Sequence, residues 1–189
     1  MEFEQRIKGK LTETLVSELL EHAGYKVVPL GIEQIIREVK DVESKTSNLP
    51  RRLRTLPDFL VTDAALKDSW LVEVKYRHRW NDKTIADIEE ALTNQVRYWE
   101  RVYCLIFVGN CDGENVTAST RSGIFQLVLK NDKLAYINRG NTYPWKNADW
   151  KFSQRIESVF TNLRHNQSQQ AIKKCCDIVD TYSSLLPYV

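Results

Sequence analysis

Three ionisable residues lie in two short apolar segments near the middle of the chain. Asp58 lies near the start of the segment 57–62, and Glu73 and Lys75 lie in the segment 70–75. Polar residues suited to a tight turn separate the two segments, so the sequence predicts a β-hairpin. Because side chains alternate along a strand, Glu73 and Lys75 would project from one face, roughly 7 Å apart at ~3.3–3.4 Å per residue.

A hairpin register that places Asp58 beside Glu73 would bring two carboxylates and one ammonium group together. Two close carboxylates repel unless a cation or a proton lies between them. Mg²⁺ suits such a pair, because it takes one or two carboxylates and fills its other positions with water and phosphate oxygens. The alternative interpretation is a half-exposed strand whose Glu73 and Lys75 are simply solvated.

Length and composition favour a single globular domain. The chain has 189 residues, of which 42% are hydrophobic, and this is enough for a sizeable core. Apolar runs of the ~20 residues needed to cross a bilayer do not occur, and the first residues lack a basic region followed by an apolar one. We therefore expect a cytoplasmic protein that does not contact a membrane.

Basic residues are concentrated on both sides of the predicted hairpin, although the net charge is only +2. The segment 44–57 contains four basic residues and no acid, and a second basic group follows Lys75. Such flanks suit an anionic substrate, while the alternative is ordinary solvated loops. The candidate phosphate contacts are Lys45, Arg51, Arg52, Arg54, Arg77 and Arg79.

The cysteines and histidines do not have the spacing of a zinc or iron–sulfur site. The four cysteines contain no pair separated by two residues, and the three histidines are scattered. Buried or free thiols in a reducing compartment are the expected state.

Apolar spacing and turn residues predict the remaining elements. The predicted helices are 3–22, 32–42, 84–101, 152–163 and 172–186, and the predicted strands are 25–29, 57–62, 70–75, 103–108, 124–129 and 134–137. The uninterrupted apolar run 103–108 is typical of a central strand covered on both faces. This order predicts an α/β sandwich with a mixed sheet flanked by helices.

Two polar residues on the predicted helices need an explanation. Gln95 lies on the inward stripe of helix 84–101, where a buried amide is either a hydrogen-bonding group of the core or a group that reaches the site. Glu13 lies at the edge of the apolar side of the first helix, where a carboxylate could lean over a strand end. Most glutamates at such positions are merely solvated.

The order of elements and three local motifs resemble the PD-(D/E)xK nuclease superfamily, with the closest likeness to archaeal Holliday-junction resolvases. The segment 8–13, ending in Glu13, looks like the opening helix with its active-site glutamate. Pro57-Asp58 looks like the metal-binding aspartate, and Glu73-Val74-Lys75 looks like the signature of the third strand. The likeness covers about residues 5–110.

The resemblance implies a restriction-endonuclease-like three-layer core and metal-dependent cleavage of DNA, with a homodimer as the expected assembly. It implies that Asp58, Glu73 and the carbonyl of Val74 hold Mg²⁺ or Mn²⁺, and that Glu13 assists. Lys75 would orient or deprotonate the attacking water, and Gln95 would support it by hydrogen bonding.

Two departures from the superfamily pattern lengthen the chain. These are an inserted helix and basic loop at 32–56, and additional helices after residue 145. We therefore divide the chain into a core at 1–144 and a helical extension at 145–189. The alternative function is a nucleic-acid-binding subunit that keeps the fold and acts within a larger assembly.

Overall fold

The computed structural model describes residues 2–30, 51–109, 122–150 and 153–164, together with residues 170–171, 174–175, 177–179 and 181. Within these ranges the chain is an α/β protein with a seven-stranded mixed sheet. The predicted helix 32–42 and the part of the basic loop before residue 51, which includes Lys45, lie outside the described residues.

The described elements agree with most of the predicted ones. The helices are α1 (Glu2–His22), α2 (Arg51–Arg54), α3 (Asp82–Trp99) and α4 (Ile156–Val159), and short 3-10 helices occupy Trp145–Asn147 and Thr161–Arg164. The strands are β1 (Lys26–Pro29), β2 (Phe59–Thr62), β3 (Ser69–Arg77), β4 (Val102–Val108), β5 (Ser122–Lys130), β6 (Lys133–Asn138) and β7 (Asn141–Pro144). The described residues between 170 and 181 are helical.

The strands lie in the sheet in the order in which they occur in the chain. All neighbours are antiparallel except β3 and β4, which are parallel. A parallel pair needs a long crossover connection, and α3 provides it. The predicted hairpin is confirmed, with Phe59 of β2 opposite Val72 of β3.

Two apolar clusters show that α1 and α3 cover opposite faces of the sheet. On one face, Val72 and Val74 pack in the same cluster as Val16 and Leu20 of α1. The other cluster joins residues of β4 with the inward stripe of α3, namely Cys104, Ile106, Ile85, Ile88 and Leu92. The alternation along β3 and β4 therefore directs Glu73 and Lys75 toward the α3 side. As predicted, β4 is a central strand with both faces covered.

Helix α3 begins earlier than the sequence pattern predicts. Asn81 is the N-cap residue, and its side chain accepts a hydrogen bond from the Thr84 backbone N–H at 3.0 Å. The Thr84 hydroxyl in turn accepts from the Asn81 backbone N–H at 2.9 Å. Thr84 therefore completes a capping box as its third helical residue, the place usually taken by Glu or Gln.

The predicted helix 152–163 is wrong over most of its length. Gln154 forms a β-bridge with Ile124 of β5, and only the single turn of α4 and a 3-10 turn follow. The apolar residues of this segment nevertheless enter the core, since Ile156, Phe160 and Leu163 are buried. Strand β7 was not predicted at all. No helix in the described part of the chain has the length and apolar character needed to cross a membrane.

Trp145 ties the residues after β7 to the core. Its ring is fully buried, and its indole N–H donates to the carbonyl oxygen of Ile85 on α3 at 3.1 Å. Replacement of Trp145 by Ala is expected to lower the free energy of unfolding by about 3–5 kcal/mol, because a large buried ring is lost. Trp145→Phe removes only the indole hydrogen bond, because the Ile85 carbonyl keeps its place in the α3 helix, and we expect a smaller loss of about 0.5–1.5 kcal/mol.

Urea denaturation of the full chain measures both losses. Lys146→Ala, at the exposed neighbouring position, serves as the control and should change the free energy of unfolding by less than about 0.5 kcal/mol. Equal effects of Trp145→Ala and Lys146→Ala would show that the segment after β7 does not stabilise the fold.

Candidate active site

The hairpin register places Asp58 directly across from Glu73. Asp58 precedes β2, and continuing the pairing of Phe59 with Val72 by one residue brings the two acids opposite each other. The Asp58 carboxylate accepts a hydrogen bond from the Val74 backbone N–H at 2.7 Å. The Asp58 carbonyl accepts another from the Leu30 N–H at 2.9 Å. Side chain and main chain of Asp58 are therefore both fixed.

The carboxylate of Glu73 is buried, with 5% of the residue exposed, and each of its oxygens has a partner. One oxygen accepts from the ammonium group of Lys75, two residues along the same face of β3. The other accepts from the side-chain amide of Gln95 on α3 at 2.6 Å. A buried carboxylate is stable when it is paired and hydrogen-bonded in this way.

Gln95 links α3 to the acidic residues of β3. The residue is buried, with 7% exposed, and its amide N–H₂ group is used by Glu73. Its amide oxygen is buried and has no hydrogen-bond partner among the described residues. A buried acceptor of this kind is usually satisfied by an ordered water or by a ligand. Of the two roles left open by the sequence, the structure gives Gln95 the one that reaches the acidic residues.

Glu13 approaches the same region from α1. Its negative charge contributes to raising the pKa of Asp58, which places the two carboxylates within electrostatic reach. The Glu13 side chain is one-quarter exposed and accepts from the ammonium group of Lys10 at 2.8 Å. One turn earlier, the Lys8 ammonium lies 5.9 Å from the ring centre of Tyr76 in β3. Neither lysine was predicted from the sequence, although Lys10 has the i, i+3 spacing of a helical ion pair with Glu13.

Burial and neighbouring acids shift the ionisation of Asp58 strongly. Burial, followed by the charge of Glu73, raises the pKa of Asp58 from 3.8 to about 7. Burial also acts to lower the pKa of Lys75, but the carboxylates of Glu73 and Asp58 outweigh it and hold the pKa above its ordinary value. Lys75 is therefore charged at neutral pH, whereas Asp58, with a pKa of about 7, is only about half ionised there, because its surroundings compensate its negative charge only in part.

The predicted phosphate contacts differ in their placement. Arg52 on α2 is exposed, and its guanidinium lies 6.0 Å from the ring centre of Tyr98, three residues after Gln95 on α3. Arg54 and Arg79 are exposed. Arg77 is partly buried, its guanidinium donates to the Tyr76 carbonyl at 2.7 Å, and burial lowers its pKa. The backbone of Arg51 belongs to α2.

Arg52 lies on the same side of the sheet as Glu73, because its guanidinium is close to Tyr98 of α3.

The oxygen atoms of this site fit a small divalent cation. Asp58 and Glu73 are the two carboxylates that Mg²⁺ or Mn²⁺ would use, and the backbone of Val74 adjoins them through its N–H bond to Asp58. The incompletely compensated charge of Asp58 is the property that a cation would correct. No three His, Cys, Asp or Glu side chains in the described part of the chain are close enough together to hold a metal by themselves. Mg²⁺ needs only one or two, because it keeps several waters.

The comparisons with known proteins add no relative to this picture. No protein-family model, curated protein or solved structure matches the chain. The geometry and electrostatics of the residues themselves are therefore the basis for assigning a function.

The raised pKa of Asp58 predicts that its carboxylate destabilises the protein above neutral pH. Between pH 4 and 7 the folded state binds more protons than the unfolded state, so the free energy of unfolding should fall as pH rises through this window. Asp58→Asn keeps an acceptor for the Val74 N–H and removes the charge. At pH 8 this variant should unfold with a free energy about 1–3 kcal/mol higher than the wild-type chain, and near pH 4 with nearly the same value.

Urea denaturation at several pH values tests this expectation. Asp132→Asn, in the exposed turn between β5 and β6, is the matched control and should show no such pH-dependent gain. If Asp58→Asn destabilised the protein equally at pH 5 and pH 8, the charge of Asp58 would have to be compensated by its neighbours.

Proposed function

We propose that this protein is a metal-dependent endonuclease that hydrolyses phosphodiester bonds in DNA, with branched or junction DNA as the expected substrate. One observation carries the proposal. Asp58, Glu73, Lys75 and Gln95 come together from β2, β3 and α3, although 37 residues separate the first from the last. The same placement of a hairpin between α1 and α3 supports a restriction-endonuclease-like core.

The acidic residues would bind the cation and the substrate phosphate through it. Asp58, Glu73 and the Val74 carbonyl would hold Mg²⁺ or Mn²⁺, and Glu13 would bind through water or hold a second ion. When bound, such an ion supplies a water of lowered pKa and offsets the charge that builds up on the phosphate. Gln95 restrains one Glu73 oxygen, so this carboxylate keeps its orientation while the other oxygen changes partner.

Lys75 would act on the attacking water and on the phosphate. Its ammonium group remains charged, because the acidic neighbours raise its pKa. A fixed positive charge in a partly buried site stabilises the negative charge of the transition state more strongly than it would in water. In the described structure the ammonium group pairs with Glu73, and transfer of this contact to a phosphate oxygen would accompany substrate binding.

The basic residues would position the DNA without reading its sequence. Arg52 and Arg54 of α2 and Arg79 after β3 are exposed, and they lie in the chain on either side of the acidic hairpin. Cutting both strands of a symmetric junction would need two active sites, and a homodimer would provide them.

One observation favours a second candidate, a nucleic-acid-binding subunit without its own catalysis. Both oxygens of Glu73 are already bonded, to Lys75 and to Gln95, so this residue is stable without a cation. In such a protein the hydrogen-bonded residues around Glu73 would serve the fold, and DNA would bind through the basic residues alone. This candidate predicts salt-sensitive DNA binding with no cleavage under any divalent metal.

Cleavage assays with isosteric variants distinguish the two candidates. Purified protein is incubated with branched, single-stranded and duplex DNA in the presence of Mg²⁺ or Mn²⁺. We expect cleavage by the wild-type chain, and at least a roughly 100-fold lower rate for Glu73→Gln and Lys75→Met, because each removes a charge that acts on the transition state. Glu90→Gln and Lys133→Met, at exposed positions, are the matched controls and should retain wild-type rates.

Equal cleavage by the wild-type chain and by both site variants would indicate a contaminating nuclease. Binding that weakens with salt, together with an absence of cleavage in every metal, would favour the subunit over the enzyme.

The Lys75→Met variant should lose cleavage activity but keep cation binding. Removing the ammonium group frees one Glu73 oxygen and removes a positive charge that competes with the cation, so Mn²⁺ should bind at least as tightly as to the wild-type chain. Asp58→Asn and Glu73→Gln should each weaken Mn²⁺ binding at least about tenfold, because each removes a charged ligand. Isothermal titration calorimetry measures all four proteins. Weaker Mn²⁺ binding by Lys75→Met than by the wild-type chain would contradict the assigned roles.

A further inference from the structure

A groove of about 840 Å³ lies at the β6–β7 end of the sheet, away from the acidic residues. It is bounded by β5, β6, the turn into β7 and the segment 153–158. Its position is three strands from β3, or about 14 Å at a strand spacing of ~4.8 Å. Gln126 and Ile137 face the α1 side of the sheet, whereas Glu73 faces the α3 side, so the groove and the acidic residues are separate sites.

The groove carries positive charge without a neighbouring acid. Its eleven lining residues include Arg139 and Arg155 but no Asp or Glu. The ion pairs formed among the described residues, Lys10–Glu13 and Lys75–Glu73, involve neither arginine. Two arginines that line one concavity are suited to a phosphate group, because the planar guanidinium donates two parallel hydrogen bonds.

The polar lining groups suit a nucleotide base. Amides are contributed by Gln126, Asn138, Asn141 and Gln154. Amides bond to base edges through both donors and acceptors. Tyr143 also lines the groove, but its ring stacks on Tyr136 on the α3 side of the sheet and is turned away from Gln126. The volume lies within the range of small-molecule sites, about 300–1,000 Å³.

The floor of the groove is rigid before any ligand binds. The backbone N–H and carbonyl groups of Gln154 pair with those of Ile124 at 3.0 and 2.9 Å, and its side-chain amide donates to the Ile137 carbonyl at 2.9 Å. The backbone of Arg155 is restrained, because its carbonyl accepts hydrogen bonds from the Ser158 N–H at 2.9 Å and from the Ser158 hydroxyl at 2.6 Å. Fixed groups lose little conformational entropy on binding, which favours a specific ligand.

We propose that this groove binds a nucleoside phosphate, with Arg139 and Arg155 on the phosphate and the amides on the base edge. The nucleotide can be free or part of a single strand, because both present the same phosphate, sugar and base. The proposal does not depend on nuclease activity, since none of its residues belongs to the acidic site.

Calorimetric titration of the full chain in the Glu73→Gln background, in which hydrolysis is suppressed, tests the groove. The probes are AMP, CMP, GMP and UMP, with adenosine and inorganic phosphate as partial ligands and a five-nucleotide single strand as the polymer. We expect at least one nucleoside monophosphate to bind at least about tenfold more tightly than either partial ligand, because phosphate and base contacts contribute together. Tighter binding of the pentanucleotide would identify a strand as the ligand, and tighter binding of a mononucleotide would identify a free nucleotide.

Two groove variants and a control test whether the nucleotide binds in the groove. Arg139→Gln/Arg155→Gln should weaken the best mononucleotide at least about tenfold by removing both phosphate donors. Ser158→Trp, which fills the groove and keeps both arginines, should also weaken it. The control Lys133→Gln/Lys146→Gln removes two exposed charges outside the lining and should bind as tightly as the parent chain.

Three results would overturn the proposal: no binding of any nucleotide, binding of phosphate as tightly as of every nucleotide, or unchanged binding in both groove variants. A chain that binds nucleotides here but never cleaves DNA would refute the proposed nuclease function and leave the groove assignment intact.

Discussion

The burial of the Glu73 carboxylate is the constraint on which the arrangement of the site depends. A charged carboxylate in the interior costs several kcal/mol unless opposite charge and hydrogen bonds compensate it. This penalty is comparable to the free energy of unfolding of a whole domain. Lys75 meets this need from the same strand, and Gln95 meets it from α3. The Glu73 carboxylate therefore determines both which face of β3 carries the charged residues and which side of α3 faces the sheet.

Asp58 is in the opposite situation, because the hydrogen bond to its carboxylate comes from a neutral backbone N–H. Burial and the adjacent Glu73 charge outweigh the favourable effect of Lys75, and the pKa of Asp58 rises to about 7. A carboxylate held in this state is relieved by a proton or by a cation. Buried ionisable groups with strongly shifted pKa values are common at functional sites, where stability is lost in favour of binding or chemistry.

Local patterns predicted the elements that local interactions determine. The hairpin of Asp58 and Glu73, the helix carrying Glu13 and the buried strand β4 follow from alternation and apolar spacing, and the structure contains all three. The adjacency of Asp58 and Glu73 could be anticipated, because a short hairpin leaves few registers. The partner of Gln95 could not, since the rotation of α3 about its axis depends on packing against β4.

The incorrect predictions occur where tertiary contacts outweigh local spacing. Phe160 and Leu163 have helical spacing, but they enter the core from an irregular chain whose start is held by the bridge between Gln154 and Ile124. Strand β7 has no apolar alternation and ends in Pro144; its signal was the turn at Arg139 and Gly140, both with positive φ, which suits a two-residue hairpin loop. Helix α3 begins before its predicted start at residue 84, because Asn81 is the N-cap residue; Asn81 and Thr84 are both residue types that suit an N-cap.

The single parallel pair of the sheet determines when the site can form during folding. Asp58, Glu73 and Lys75 belong to one hairpin, so a short loop closure is enough to bring them together. Gln95 joins them only after α3 has formed and β4 has docked beside β3, which requires contacts about thirty residues apart in sequence. In a partly folded chain the acidic residues of the hairpin therefore exist before the amide that orients them, and the complete site is a product of the late, non-local stage of folding.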